Sequence, residues 1–150
     1  YGGDKAIFGY GYYYSGGVVN YSLTNKVSNS GVVASDTTGV GTARYLLAAA
    51  GYGGDKAIFG FGTTGSVTGL TNLVSNTGVV AANVSAVGTA RKGLAAAGYG
   101  GDKAIFGYGT TGSLTAITNL VNNSGVVASD VSGVGTAREK PAAAGFSYAA

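Results

Sequence analysis

The chain contains no Cys, His, Met or Trp, and its single proline is Pro141. Without Cys there is neither a disulfide framework nor a thiol nucleophile. Without His, the commonest metal ligand and the commonest general base are both gone. Charge is scarce as well: Asp, Glu, Lys and Arg make up 10% of the residues, against roughly 25% in an average soluble domain. The net charge of +3 is spread thinly and forms no basic run, so no nucleic-acid partner is expected. No stretch reaches the roughly 18 consecutive apolar residues of a membrane span, and membrane insertion is not expected. A chain that starts at Tyr1 and holds no Met is expected to be a processed product, a fragment or an excised piece. The lack of Cys fits an extracellular or virion-associated setting, which is the expected localisation.

What the chain has in quantity is Gly (29 residues), Tyr (11 residues) and a hydrophobic content of 45%, enough for a packed core. Disorder is not expected, because Val, Ile, Leu, Phe and Tyr recur at regular spacing. The run GTARYLLAAAGYGGDKAIFGFG at 41–62 returns as GTARKGLAAAGYGGDKAIFGYG at 88–109. Its second half opens the chain (YGGDKAIFGYG, 1–11) and its first half closes it (GTAREKPAAAG, 135–145). Three units follow from this: 1–51, then 52–98 and 99–145 at 47 residues each, with a tail at 146–150. The first unit carries four extra residues between 12 and 20.

Each unit reads as four short strands, so the expected class is all-β. In the middle unit these are LLAAAG (46–51), KAIFGFG (56–62), LTNLVSN (70–76) and GVVAANV (78–84). The glycines of Tyr52-Gly53-Gly54-Asp55 suit a hairpin turn, as does Asn76-Thr77-Gly78. Helical periodicity does not survive one unit, because Gly interrupts every window. AIF followed by GYG or GFG is apolar on both strand faces, which calls for a sheet covered on both sides. Four-stranded antiparallel units stacked around an axis meet that need, with the Ala-Gly strand in the crowded innermost place.

These residues resemble the kelch repeat. The similarity runs through Arg44, residues 48–51, Ile58-Phe59-Gly60 and Gly62, and again from Arg91 and Arg138. It implies β-propeller blades of four antiparallel strands, three repeats per chain. Gly- and Tyr-rich repeats of this sort are also similar to segments of bacteriophage tail-fibre-like proteins. The copper-radical chemistry known on kelch-type propellers needs Cys and His, which this chain lacks. No nucleophile and base pair, metal constellation or carboxylate dyad is visible either. The expectation is therefore no enzyme, with no catalytic, cofactor or metal residues.

A propeller needs four to eight blades, and this chain holds the strands of three. Self-association is expected, the strand at 141–146 of one chain completing the opening blade of another. Two chains would then close a six-bladed ring. A single arc of a longer chain and an open solenoid or fibre remain the other two readings.

The Asp4-Lys5, Asp55-Lys56 and Asp102-Lys103 pairs read as turn residues, since one carboxylate per turn falls far short of a calcium shell. Arg44, Arg91 and Arg138 stand at each blade junction, either lining a groove for an anion or tying neighbouring blades through backbone carbonyls. Asn25, Asn72 and Asn119 read as backbone-bonding groups. The sequons at Asn20, Asn83 and Asn122 are compatible with chance in a chain this rich in Asn and Ser. The units differ most at 12–23 against 63–70, and at Tyr45-Leu46 against Lys92-Gly93 and Glu139-Lys140. These stretches are expected on one face, where Tyr12, Tyr13, Tyr14, Tyr21, Tyr45 and Lys92 form the candidate binding surface; neutral drift is the alternative. A structural or adhesive repeat protein of a tail fibre or other appendage is the leading expectation, with a glycan or host-surface ligand. A lectin-like propeller and an engineered or amplified fragment are the alternatives.

Overall fold

Paired glycines set the first reversal of every unit. In the middle one, β5 (Ala48–Tyr52) turns at Gly53 and Gly54, with φ of 60° and 77°, into β6 (Lys56–Gly60). Both values lie in the left-handed region that Gly enters without steric cost. The register runs from Tyr52↔Lys56 to Ala48↔Gly60, and β6 then pairs with β7 (Thr71–Val74) from Gly60↔Thr71 to Ala57↔Val74. Strand β5 starts two residues after Leu46, whose φ of 54° is incompatible with a strand.

The computed structural model describes residues 1–146, which are all-β and contain no helix. The remaining strands are β1 (Ala6–Gly9), β2 (Tyr12–Tyr14), β3 (Val18–Asn20), β4 (Thr24–Val27), β8 (Ala95–Tyr99), β9 (Lys103–Gly107) and β10 (Thr118–Val121). They form four small antiparallel sheets, β1-β4, β2-β3, β5-β6-β7 and β8-β9-β10. No closed ring of sheets is formed among the described residues. Of the tail expected at 146–150, all but Phe146 lies outside them.

The expected fourth strand, 78–84, is not a strand. It touches β7 at two isolated bridges, Val74↔Val80 and Thr71↔Val84. Four residues separate the bridges on one side and three on the other, so one residue is extra and the chain bulges. The Asn72 side chain fills the bulge, its Nδ2 donating to the Ala81 carbonyl and to Asn83 Oδ1, both at 3.1 Å. Asn25 and Asn119 do the same in their units, reaching Ala34 and Asp36, and Ala128 and Asp130.

The sheets stack with two apolar layers between them. Ala57, Phe59, Val74 and Val80 meet Tyr1, Ile7 and Tyr10 on one side of β6. Ile58 and Phe61 meet Leu94, Phe106 and Val121 on the other. This is why AIF is apolar on both faces. Close approach needs a missing Cβ: one built on Gly60 would fall 2.7 Å from Phe106 Cζ, and one on Gly9 2.9 Å from Phe59 Cζ. Gly60→Ala is therefore expected to destabilise by about 2 kcal/mol in urea denaturation, through overpacking. Adding Phe106→Leu should recover part of that loss, so that the two changes are non-additive. Additive costs would show that the ring does not set the limit.

Candidate functional site

Two sets of residues were singled out by the sequence, and they occupy opposite environments. Arg44 and Arg91 are 0% exposed. The Arg44 guanidinium carbon sits 4.4 Å over the Tyr10 ring, and Arg91 repeats this over Phe61 at 4.3 Å. Arg44 Nε donates to the Phe61 carbonyl at 2.8 Å, and one Nη donates to the Thr42 carbonyl at 3.1 Å. Arg91 repeats the pattern on Tyr108 (2.9 Å) and Thr89 (3.1 Å). Each guanidinium thus lies on the aromatic ring of one unit and bonds the backbone of the next. Its aromatic base has an unusual backbone: Tyr10, Phe61 and Tyr108 have φ of 66°, 63° and 64° between flanking glycines. Left-handed non-Gly residues cost about 1–3 kcal/mol and persist only where the surroundings hold them. Here the stacked cation and an edge-on phenyl hold the ring, Phe59 on Tyr10 at 5.1 Å and Phe106 on Phe61 at 5.2 Å.

Burial pulls the Arg44 and Arg91 pKa below the ordinary arginine value, yet guanidinium stays charged in proteins. Because both side chains are enclosed, neither reaches an anion in solvent. Among the described residues, one Nη of each, and Oδ1 of Asn72 and Asn119, find no protein partner. Arg138 differs: it stacks on Tyr108 at 3.8 Å and donates to Thr136 but is exposed.

A second polar lock joins the same units. Asp130 accepts from the Thr89 hydroxyl at 2.6 Å, from the Thr89 N–H and from Asn119. Asn83 takes this place for Thr42, its Oδ1 accepting from the Thr42 N–H at 3.1 Å and its Nδ2 donating to the Thr42 hydroxyl at 2.7 Å. The Thr89 hydroxyl, first, and then Asn119 hold the Asp130 carboxyl below its ordinary value of 3.8 against the opposing effect of burial.

The candidate surface residues lie outside this framework. Where the other units close a corner with Thr63↔Val67 or Thr110↔Leu114, the four extra residues of the first extend it into the β2-β3 hairpin. Tyr12, Tyr13 and Tyr14 are all exposed along β2, the last at 67%. The Tyr12 ring packs on Tyr45 at 4.8 Å, so the structure brings these two together. Tyr21 follows β3 and is also exposed. Lys92 holds the place of Tyr45 one unit further along, bridging Thr110 as Tyr45 bridges Thr63. Sequence reasoning missed Val18 and Val19, which pair with Tyr14 and Tyr13 and are themselves exposed. The signal was there, since both fall in the inserted stretch. A cavity of about 750 Å3 lies elsewhere, among the glycine turns. Lys5, Lys56 and Lys103 on its wall are each paired with the preceding Asp at 2.7–3.2 Å. Among the described residues no three Asp or Glu gather as a metal site would need. Comparison with known proteins finds no family model that matches the chain and no curated protein similar to it.

Arg91→Met is expected to cost about 2 kcal/mol in chemical denaturation, because two partly buried carbonyls lose their charged donor. Arg91→Lys should recover only part of this, since an ammonium cannot fork and stack at once. Equal stability of Arg91→Met and wild type would rule out the junction as an energetic element. A carboxyl with a lowered folded pKa stabilises above its unfolded value and loses that contribution as pH falls through the folded one. The unfolding temperature should therefore drop as pH falls below about 3.8. Asp130→Asn, which imitates Asn83, should make the drop shallower; an unchanged slope would disprove the linkage.

Proposed function

We propose that this chain is a non-enzymatic structural and adhesive repeat protein, its units acting as kelch-like propeller blades of a tail fibre or similar surface appendage. The observation that carries the reading is the β2-β3 hairpin. It places five aromatic and aliphatic side chains (Tyr12, Tyr13, Tyr14, Val18 and Val19) in solvent, while equivalent corners of the other units are short turns. An exposed apolar patch raised off a rigid scaffold is what contact surfaces look like. The arginines, by contrast, are used internally. The setting that suits such a protein is extracellular or on a virion, and the ligand a host-surface protein or glycan.

A second reading, a lectin-like propeller, is favoured by one contact. The tilted Tyr12–Tyr45 pair offers aromatic faces of the kind that pack on sugar rings. Replacing Tyr12, Tyr13 and Tyr14 with Ser tests both. Adhesion to a panel of bacterial surfaces and binding on a glycan array should fall at least tenfold, with the unfolding midpoint unchanged within about 0.5 kcal/mol. A wild-type glycan-array signal selects the lectin reading. Adhesion without that signal selects protein contact. Binding that survives the triple change would refute the site.

A further inference from the structure

The two junctions between units are made of the same contacts. Phe59 lies against Gly9 of the preceding unit, and Phe106 against Gly60. Arg44 bonds the Phe61 carbonyl and Arg91 the Tyr108 carbonyl. Thr42 meets Asn83, and Thr89 meets Asp130. The Gly2 N–H donates to the Asp55 carbonyl at 2.6 Å, and Gly53 N–H to Asp102 at 2.7 Å. Apart from the Thr42 hydroxyl, which accepts from Asn83 Nδ2, each of these hydrogen bonds runs from a donor on one unit to an acceptor on the next, and each phenyl knob enters a slot on the unit before it.

The outer units carry the two unmatched halves of a third such set. On the first unit, Phe8 is 62% exposed, whereas its equivalents Phe59 and Phe106 are 4% and 0%. Asp36 is held by Asn25 but meets no threonine among the described residues. Among the described residues, strand β1 pairs with β4 alone, without an alanine strand of the kind that β6 and β9 have. On the third unit, Arg138 keeps its ring but has no carbonyl at Nε among the described residues. A cavity of about 120 Å3, lined by Ala96, Ile105, Gly107, Tyr108, Thr118 and Arg138, occupies the place that Phe106 fills beside Gly60. A Cβ on Gly107 would meet only Thr118, at 3.3 Å. Residues 142–145 lie beside β8, with Gly145 against the Gly98 carbonyl, and belong to no ladder.

We propose that the third unit of one copy docks the first unit of a second copy, head to tail, by the contacts of the internal junctions. Phe8 of the incoming copy enters the Gly107 cavity. Its Tyr10 carbonyl accepts from Arg138 Nε, and its Asp36 takes Thr136. Its β1 pairs with the alanine segment in the register of β5 on β6, Gly9 opposite Ala142 and Ala6 opposite Gly145. The occupant is specified by the molecule itself: AIFG is identical in β1, β6 and β9, and two slots of the same form already hold that segment. Such a heterologous contact makes a ring if the rotation closes and a filament if it does not. By the same equivalence the docking surface reaches the base of the tyrosine hairpin, where Tyr12 holds the place that Thr63 has opposite Tyr45.

The test uses one block per face. Phe8→Asp spoils the knob and leaves the slot; Gly107→Val fills the slot and leaves the knob. Light scattering on the wild-type chain at micromolar concentration should give a multiple of 14.6 kDa, either a finite dimer or a ladder of sizes. Each variant alone should be monomeric, since no pair of identical copies then has both halves. Mixing them should restore a 1:1 heterodimer through the one intact joint, a result that misfolded variants cannot produce. A monomeric wild-type chain would assign the two faces to units other than a second copy and overturn the proposal. Assembly that persists in either variant, or folded variants that stay monomeric when mixed, would overturn it as well.

Discussion

A buried guanidinium between two units is the constraint on which the rest of the stack depends. Enclosing Arg44 and Arg91 costs several kcal/mol of lost hydration each, a cost that is offset only where geometry is right. Three requirements follow. A flat ring must lie under the cation, which places Tyr10 and Phe61 beneath Arg44 and Arg91. That ring must turn back from its strand, which forces the left-handed backbone between two glycines. A carbonyl must then arrive from the neighbouring unit at the far side of the fork, which fixes how far the next sheet is offset. A desolvated cation–π contact is worth about 2 kcal/mol and a hydrogen bond to a charge about 1.5–3. The junction is therefore favourable when complete and unfavourable when half made. This is the nearest-neighbour coupling expected of stacked repeats.

The repeat, its glycine turns and the two-faced apolar strand were legible in the sequence because each is local. Gly53-Gly54 needs only φ, and AIF needs only to be covered on both sides. What was not legible depended on a side chain acting at a distance. Residues 78–84 look like a strand by composition, but Asn72 supplies hydrogen bonds that a strand backbone would supply, and the ladder opens. LLAAAG looks like one run, but Leu46 turns left-handed and its carbonyl accepts from Gly93 N–H of the next unit. The tyrosine hairpin was half legible. The insertion and the Tyr run marked it, whereas the pairing that exposes Val18 and Val19 with them is a matter of register.

Identical sequence in different surroundings is the limit case. Phe8, Phe59 and Phe106 share the segment AIFG, yet one is largely solvated and two are core. No property of the segment distinguishes them. Burial here belongs to the junction and not to the residue, so a unit is finished only by its neighbour.

The polar content of the junction also bears on order. Surfaces of Ala and Gly such as β5 and β8 are smooth, and dispersion alone selects weakly among offsets between them. An arginine fork reaching two carbonyls, with a threonine locked to Asn83 or Asp130 beside it, is satisfied at one offset only. A slip by one residue would strip the buried guanidinium of its neighbour's carbonyl and break the threonine lock, at a cost larger than the apolar area could recover. The same contacts that hold two sheets together therefore exclude their misalignment. This lets a chain of nearly identical units stack in one register and leaves its one divergent corner, the tyrosine hairpin, free to vary.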